Sequence, residues 1–207
     1  MSYEVFDKYF ERYETWYRKN RTIVENELKA LELLKPDGLG LEIGVGTGYF
    51  AEKLGIQVGI DPSRNMLKIA RNRNIEVIQA FGERLPFKDC VFDYVYIIVT
   101  LCFVKNPIKV LKEANRVLKN KGKLIIAFIP RDSSWGKYYL KRKHKSVFYK
   151  YARFYTVEEV FDLVESAGFV VAKVVSTLHF PPWAPPRAED PKEDSEGGFV
   201  CVLSVKV

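Results

Sequence analysis

Two histidines, two methionines and three cysteines are all that this 207-residue chain offers of the side chains most used for metal ligation and redox chemistry. Cys90, Cys102 and Cys201 lie far apart with no CxxC pair, so neither a disulfide framework nor a zinc site is expected, and each reads as a small buried apolar residue. His144 and His179 belong to no HExxH or GxSxG arrangement, so no metal is expected and no catalytic residue is named. His179, near the end of a late strand, reads either as a general base or as an ordinary satisfied histidine. No run of about 18 uncharged apolar residues occurs, so no membrane span is expected. The start, Met-Ser-Tyr-Glu-Val-Phe-Asp-Lys, lacks the basic segment and apolar core of a secretory signal, and the expected location is the cytoplasm. Glutamine is equally scarce, only Gln57 and Gln79, against many Lys, Glu, Ile and Val, a balance that leans toward a heat-adapted source.

What is present suffices for one sizeable core: 47% of residues are hydrophobic, and a single domain spanning 1–207 is expected. The rest of the chain is organised around residues 39–61. Leu39, Leu41 and Ile43 fit a buried parallel strand, Gly44, Gly46 and Gly48 break it, and Phe50, Ala51 and Leu54 follow at helical spacing. A second strand, Ile56–Ile60, delivers Asp61 at its carboxyl end. In an open α/β sheet that edge holds the ligand, because glycine lets the backbone approach it and a carboxylate there accepts from two ribose hydroxyls. On the glycines alone two cofactors compete, since Gly46-Thr47-Gly48-Tyr49-Phe50-Ala51 also fits the dinucleotide pattern G-x-G-x-x-G/A.

The fuller string Leu-Glu-Ile-Gly-Val-Gly-Thr-Gly, with Glu42 two residues before Gly44, followed by Gly-Ile-Asp-Pro-Ser at 59–63, resembles the first two motifs of class I S-adenosylmethionine-dependent methyltransferases. Phe81-Gly82-Glu83-Arg84-Leu85-Pro86-Phe87 is similar to the family's third motif, Gly-Asp-Ala-Glu-x-Leu-Pro-Phe. There Phe81 stands where the family's adenine-binding Asp is found, so stacking and backbone bonds are expected to hold the ring. The parts cover roughly residues 39–180 in the family's order. The resemblance implies S-adenosyl-L-methionine as cofactor, contacted by Glu42, Gly44, Gly46, Gly48, Asp61 and Pro62, then by Met66 against the adenine, by Gly82 and Glu83 in the adenine turn, and by Val99 and Thr100 at the methionine end. It also implies a doubly wound α/β fold, with a seven-stranded, mostly parallel sheet whose last strand is antiparallel and helices on both faces. Alternating strand and helix signals support the α/β class independently.

Around the cofactor-binding core at 35–130, three further segments are expected. Residues 1–34 form an amino-terminal helical cap. In it, Tyr3, Phe6, Tyr9, Phe10, Tyr13, Trp16 and Tyr17 place one aromatic stripe on a helix over 3–17, either packing on the core or closing as a lid. A second helix runs from about Asn20 to Leu34. Residues 131–155 read as a lid insertion with seven cations and no acid between Asp132 and Glu158, interleaved with aromatics. Residues 156–207 carry a capping box at Thr156-Val157-Glu158-Glu159, a helix and a closing strand pair. The basic lid and the acidic stretch Pro181–Gly198 are both expected to rim the substrate entrance. The chain has no added nucleic-acid module, so the expected activity is methyl transfer to a small molecule by in-line displacement, with positioning supplying most of the catalysis. The alternatives are an RNA or protein methyltransferase that uses the basic lid, or a non-catalytic cofactor-binding module. Neither the methyl acceptor nor the oligomeric state is written in the sequence.

Overall fold

The computed structural model describes residues 2–207. Its elements run α1 (Ser2–Lys8), α2 (Phe10–Lys19), α3 (Arg21–Glu32), β1 (Gly40–Ile43), α4 (Tyr49–Leu54), β2 (Val58–Asp61), α5 (Arg64–Arg71), β3 (Glu76–Gln79), β4 (Phe92–Ile98), α6 (Pro107–Val117), β5 (Leu118–Phe128), α7 (Ser134–Arg142), α8 (Val157–Ser166), β6 (Phe169–Thr177) and β7 (Phe199–Lys206). The seven strands make one sheet in the order β3-β2-β1-β4-β5-β7-β6. Only β7 runs against its neighbours, β5 and β6. This is the fold class expected from the sequence.

Each element has a local cause. All four residues of β1 are buried, because helices cover both sheet faces and leave a central parallel strand no wet side. Ser63 caps α5 by accepting from the Met66 amide, Asn106 caps α6 with Pro107 following it, and Thr156 with Glu159 closes a reciprocal box at the start of α8. Two apolar layers result. One packs α2, α3, α4 and Trp135 of α7 on one sheet face, and the other packs α6 and α8 on the opposite face.

Three expectations are corrected. The single helix over 3–17 is two, broken at Tyr9, whose φ of −115° and ψ of 30° are not helical. The two halves serve different neighbours: α1 crosses to α5, while Tyr17 at the end of α2 stacks on Tyr49 of α4 at 4.3 Å. Strand β5 begins at Leu118, ahead of the turn at Lys121-Gly122, because Leu118 already pairs with Phe92. The acidic stretch does not rim an entrance. Asn26 of α3 donates to the Arg187 carbonyl at 2.9 Å and accepts from the Glu189 amide at 3.1 Å. Glu189 takes the Thr177 hydroxyl and the His179 amide, and Ser176 bridges Lys192 in strand fashion. Its acids thus tie the loop to α3 and β6.

Candidate active site

Strand β1 ends in a turn that only glycine can make. Gly44, Gly46 and Gly48 have φ of 79°, 53° and 78°, values that cost an L side chain heavily. At Gly44 space adds a second demand, since a Cβ would collide with Thr100 across the sheet edge. The turn is pinned from β2. Asp61 accepts from the Gly46 amide with Oδ2 at 3.0 Å and from the Ser63 amide with Oδ1 at 2.8 Å. Burial pushes the Asp61 carboxyl up to about 6, against the pull of those two amides.

Above this edge lies a cavity of about 570 Å³. Of the residues expected at the cofactor, Gly44, Gly46, Asp61, Pro62 and Met66 line it from the first two loops. Gly82, Glu83, Val99 and Thr100 line it from the loops after β3 and β4. Glu42 and Gly48 do not. Glu42 is buried beneath the turn, where burial and then the Asp61 charge raise its pKa well above the ordinary value, and its Oε2 has no partner. Gly48 opens α4 and packs toward Ile75 and Ala70. Phe81 is half exposed at the cavity, edge-on to Tyr3 with ring centroids 5.4 Å apart. The Glu83 carboxylate turns to the next loop and accepts from the Lys105 amide at 3.1 Å through Oε1.

Helix α1 roofs this cavity with Tyr3 and Phe6. Its anchor is Asp7, which accepts from the Ser63 hydroxyl at 2.8 Å and the Asn65 amide at 3.0 Å. Neither Asp7 nor this contact was visible in the sequence, because an acid on an aromatic helix gives no sign of its partner.

A second cavity, about 600 Å³, shares Phe6, Tyr13, Val99 and Phe103 with the first. The shared wall contains the one β-branched residue of the chain with a left-handed backbone among the described residues, Val99 at φ 46°, a conformation that costs of order 1–3 kcal/mol and collects at functional sites. The far walls are aromatic: Trp16 and Tyr17 come from α2, and Trp135 and Tyr139 from α7. Trp135 is fixed by donating to the Phe180 carbonyl at 2.7 Å. The basic segment 131–155 contributes Lys141, Arg142, His144 and Lys145. Glu27 of α3 faces this cavity as well and is 6% exposed. Glu27 is not among the residues expected at the site, though an acid on the apolar stripe of Ile23, Val24, Ala30 and Leu31 is a signal the sequence carries.

His179 lines neither cavity. Its ring lies 3.3 Å from Glu189 through Nδ1 and 3.3 Å from Asp194 through Nε2, and Asp194 also takes the Ser176 hydroxyl. It is the satisfied histidine of the two readings. No group of three or more His, Cys, Asp or Glu among the described residues is placed to hold a metal ion.

Residues 41–126 match the model of a family described as a methyltransferase domain. A crystal structure of an S-adenosylmethionine-dependent methyltransferase from Thermotoga maritima, described as a possible histamine N-methyltransferase, is 43% identical, with a TM-score of 0.96 covering 100% of both chains. An uncharacterized protein of Methanocaldococcus jannaschii is 45% identical, over 98% of this chain and 99% of that one. Another, from Mycobacterium tuberculosis, is 41% identical over 93% of this chain and 70% of its own length.

Proposed function

We propose, from the premise that this chain belongs to the class I S-adenosylmethionine-dependent methyltransferases and is an enzyme of that family, that it methylates a small molecule held in the second cavity. The observation that carries this reading is the shared wall. The first cavity has the glycine turn and the acid that suit a ribose and an amino acid end, and the second opens beside it through Phe6, Tyr13, Val99 and Phe103.

The residues fit the cofactor. Gly44 and Gly46 line the first cavity without a side chain, so the backbone itself comes against the ligand. Asp61 has lone pairs left on both oxygens after its two amide bonds, enough for two ribose hydroxyls. Met66 and Pro62 supply apolar surface, Gly82 the amide of the adenine turn, and Phe81 with Tyr3 an aromatic edge in place of the family's acid. Glu42, buried under the turn with an unpaired oxygen and a carboxyl that burial keeps from ionising readily, supports the turn from beneath. S-adenosylmethionine, when bound, supplies a methyl group already activated on a sulfonium. What remains for the protein is orientation and exclusion of water, which are large effects in displacement reactions. Phe103, Tyr13 and Val99 set the direction of approach, α1 covers the first cavity, and the 131–155 segment walls the second.

Three unpaired cysteines support a reducing, cytoplasmic setting, and no helix among the described residues is long and apolar enough to cross a membrane. Near relatives from thermophiles support the heat-adapted reading of the composition.

The test is transfer from methyl-labelled S-adenosylmethionine into a metabolite extract, into total RNA and into protein. Label in a low-molecular-weight product supports the reading. Label confined to RNA or protein overturns it.

A further inference from the structure

Glu27 is the one acid among the residues lining the second cavity, and it is buried on the inner face of α3. Among the described residues no hydrogen bond or ion pair reaches its carboxylate, and burial alone pushes it up to about 8. A buried acid left without a partner is costly unless something else supplies the missing charge or proton. The surfaces beside it do not. Tyr13 and Tyr17 from α2, Tyr139 from α7 and Tyr149 after it line the same cavity; burial raises all four, and the Glu27 charge adds to the effect at each. Aromatic faces around an unpaired carboxylate make a seat for an organic cation, which gains from the charge and from the ring quadrupoles together.

The mouth of the same cavity has the opposite sign. Arg12, Lys141, Arg142 and Lys145 are exposed there, with Arg142 held over the Tyr138 ring at 4.4 Å. A bare amine would have to pass four cations to reach one acid. A ligand with an amine at the inner end and an acidic group at the outer end satisfies both.

We infer that the methyl acceptor is an amphoteric amine, its ammonium seated on Glu27 within the aromatic floor and its acidic group held by the cations of the mouth. This rests on the small-molecule reading above and narrows it to a substrate class. Glu27 acts as an anchor for the acceptor.

The experiment uses the full-length protein loaded with S-adenosylhomocysteine, whose binding is measured first by calorimetry. Failure of that first step would sink the methyltransferase reading itself and is thus distinguishable from failure of the amine seat. Three probes follow: L-phenylalanine, with amine and acid; 2-phenylethylamine, with the amine alone; and 3-phenylpropionate, with the acid alone. L-phenylalanine is expected to bind at least about tenfold tighter than 3-phenylpropionate, with 2-phenylethylamine between them. Glu27→Gln, nearly the same shape, removes that preference while leaving S-adenosylhomocysteine affinity unchanged. A double change of Lys141 and Arg142 to Ala brings L-phenylalanine down to the level of 2-phenylethylamine.

A second readout needs no variant. Burial raises the carboxyl of the empty seat above neutral pH, so amine binding at pH 7 is expected to release protons, seen as a dependence of the calorimetric heat on buffer ionisation enthalpy. The inference is overturned if 3-phenylpropionate binds as well as the amines, if Glu27→Gln keeps the preference, if no proton is released, or if none of the probes binds at millimolar concentration.

Discussion

The Asp61 carboxylate accepts from the Gly46 amide at 3.0 Å, a bond that joins the end of β2 to the turn after β1. One side chain therefore does two tasks. It fixes the glycine turn, and it presents its remaining lone pairs to the cavity.

Asp61→Asn is expected to weaken S-adenosylhomocysteine binding about tenfold to a hundredfold, or about 1.5–3 kcal/mol. Asparagine keeps the shape but has one acceptor oxygen, and its amide group must point at either the Gly46 or the Ser63 donor. Glu83→Gln should change affinity by no more than about twofold, because Oε1 alone accepts from Lys105 and Asn106 and Gln retains that oxygen. Titration calorimetry on both variants, with circular dichroism as a folding control, checks this. A larger loss at Glu83 would mean that its side chain has taken the contact that Phe81 cannot make.

Cofactor affinity should also depend on pH. Burial holds the Asp61 carboxyl near 6 in the empty protein, and an acceptor for two hydroxyls must be ionised. Affinity is therefore expected to fall about tenfold per pH unit below about 6 and to level off above 7. The effect on the stability of the empty protein has the opposite sign. A carboxyl whose folded pKa is raised stabilises the fold fully below its unfolded value near 3.8, and that contribution is lost as pH rises through about 6. Calorimetry between pH 5 and 8 tests the first statement, and Asp61→Asn should flatten the profile.

The sheet was legible because its signals are local: a buried apolar run before each loop, a cap before α5, α6 and α8 and glycines where the backbone must turn left-handed. The first cavity was legible for the same reason, since Gly44, Gly46, Asp61 and Gly82 are each the end of a strand or the start of a turn. The second cavity was not. Its walls meet only when α2, α3, α7 and β4 pack together, and the periodicity that brings Glu27 inward says nothing of what it faces. The break at Tyr9 was hidden because the aromatic spacing continues across it, so one stripe described two helices with different partners. The acidic stretch misled for a related reason: its place after β6 suggests the rim of the substrate entrance, yet Glu189 and Asp190 answer to Thr177, His179 and Lys29.

The basic lid gives a prediction about salt. Lys141, Arg142 and Lys145 border a cavity of about 600 Å³, which suits a small ligand. RNA is expected to bind no tighter than the micromolar range, with affinity falling steeply as salt rises because each neutralised phosphate releases counterions. Electrophoretic mobility shifts across a salt series test it. Nanomolar binding of tRNA, lost when the three become Ala, would reverse the choice of substrate.

The last prediction concerns the roof. Helix α1 is short, so little holds it except its contacts. Asp7 gives it a charged one, accepting from the Ser63 hydroxyl, the Asn65 amide and the Asn65 side chain. The Asn65 amide bond leads in holding the Asp7 carboxyl below the ordinary range, so the tether is fully charged at neutral pH and fails only in strong acid. Aromatic contacts add to it: Phe6 lies 4.8 Å from Phe103 and 5.0 Å from Phe148. Asp7→Ala leaves those rings in place but frees the end of the helix beside Asp61. Hydrogen bonds to a charged group are worth about 1.5–3 kcal/mol each, against which the unroofed helix regains its chain entropy. The expected net result is faster amide exchange across residues 3–8 and S-adenosylhomocysteine affinity lowered by about threefold to tenfold, chiefly through faster dissociation. Asp7→Asn, which keeps an acceptor for Ser63, should fall between the variant and the parent. If Asp7→Ala exchanges and binds like the parent, the aromatic contacts alone seat the roof, and the carboxylate is only a cap for α5.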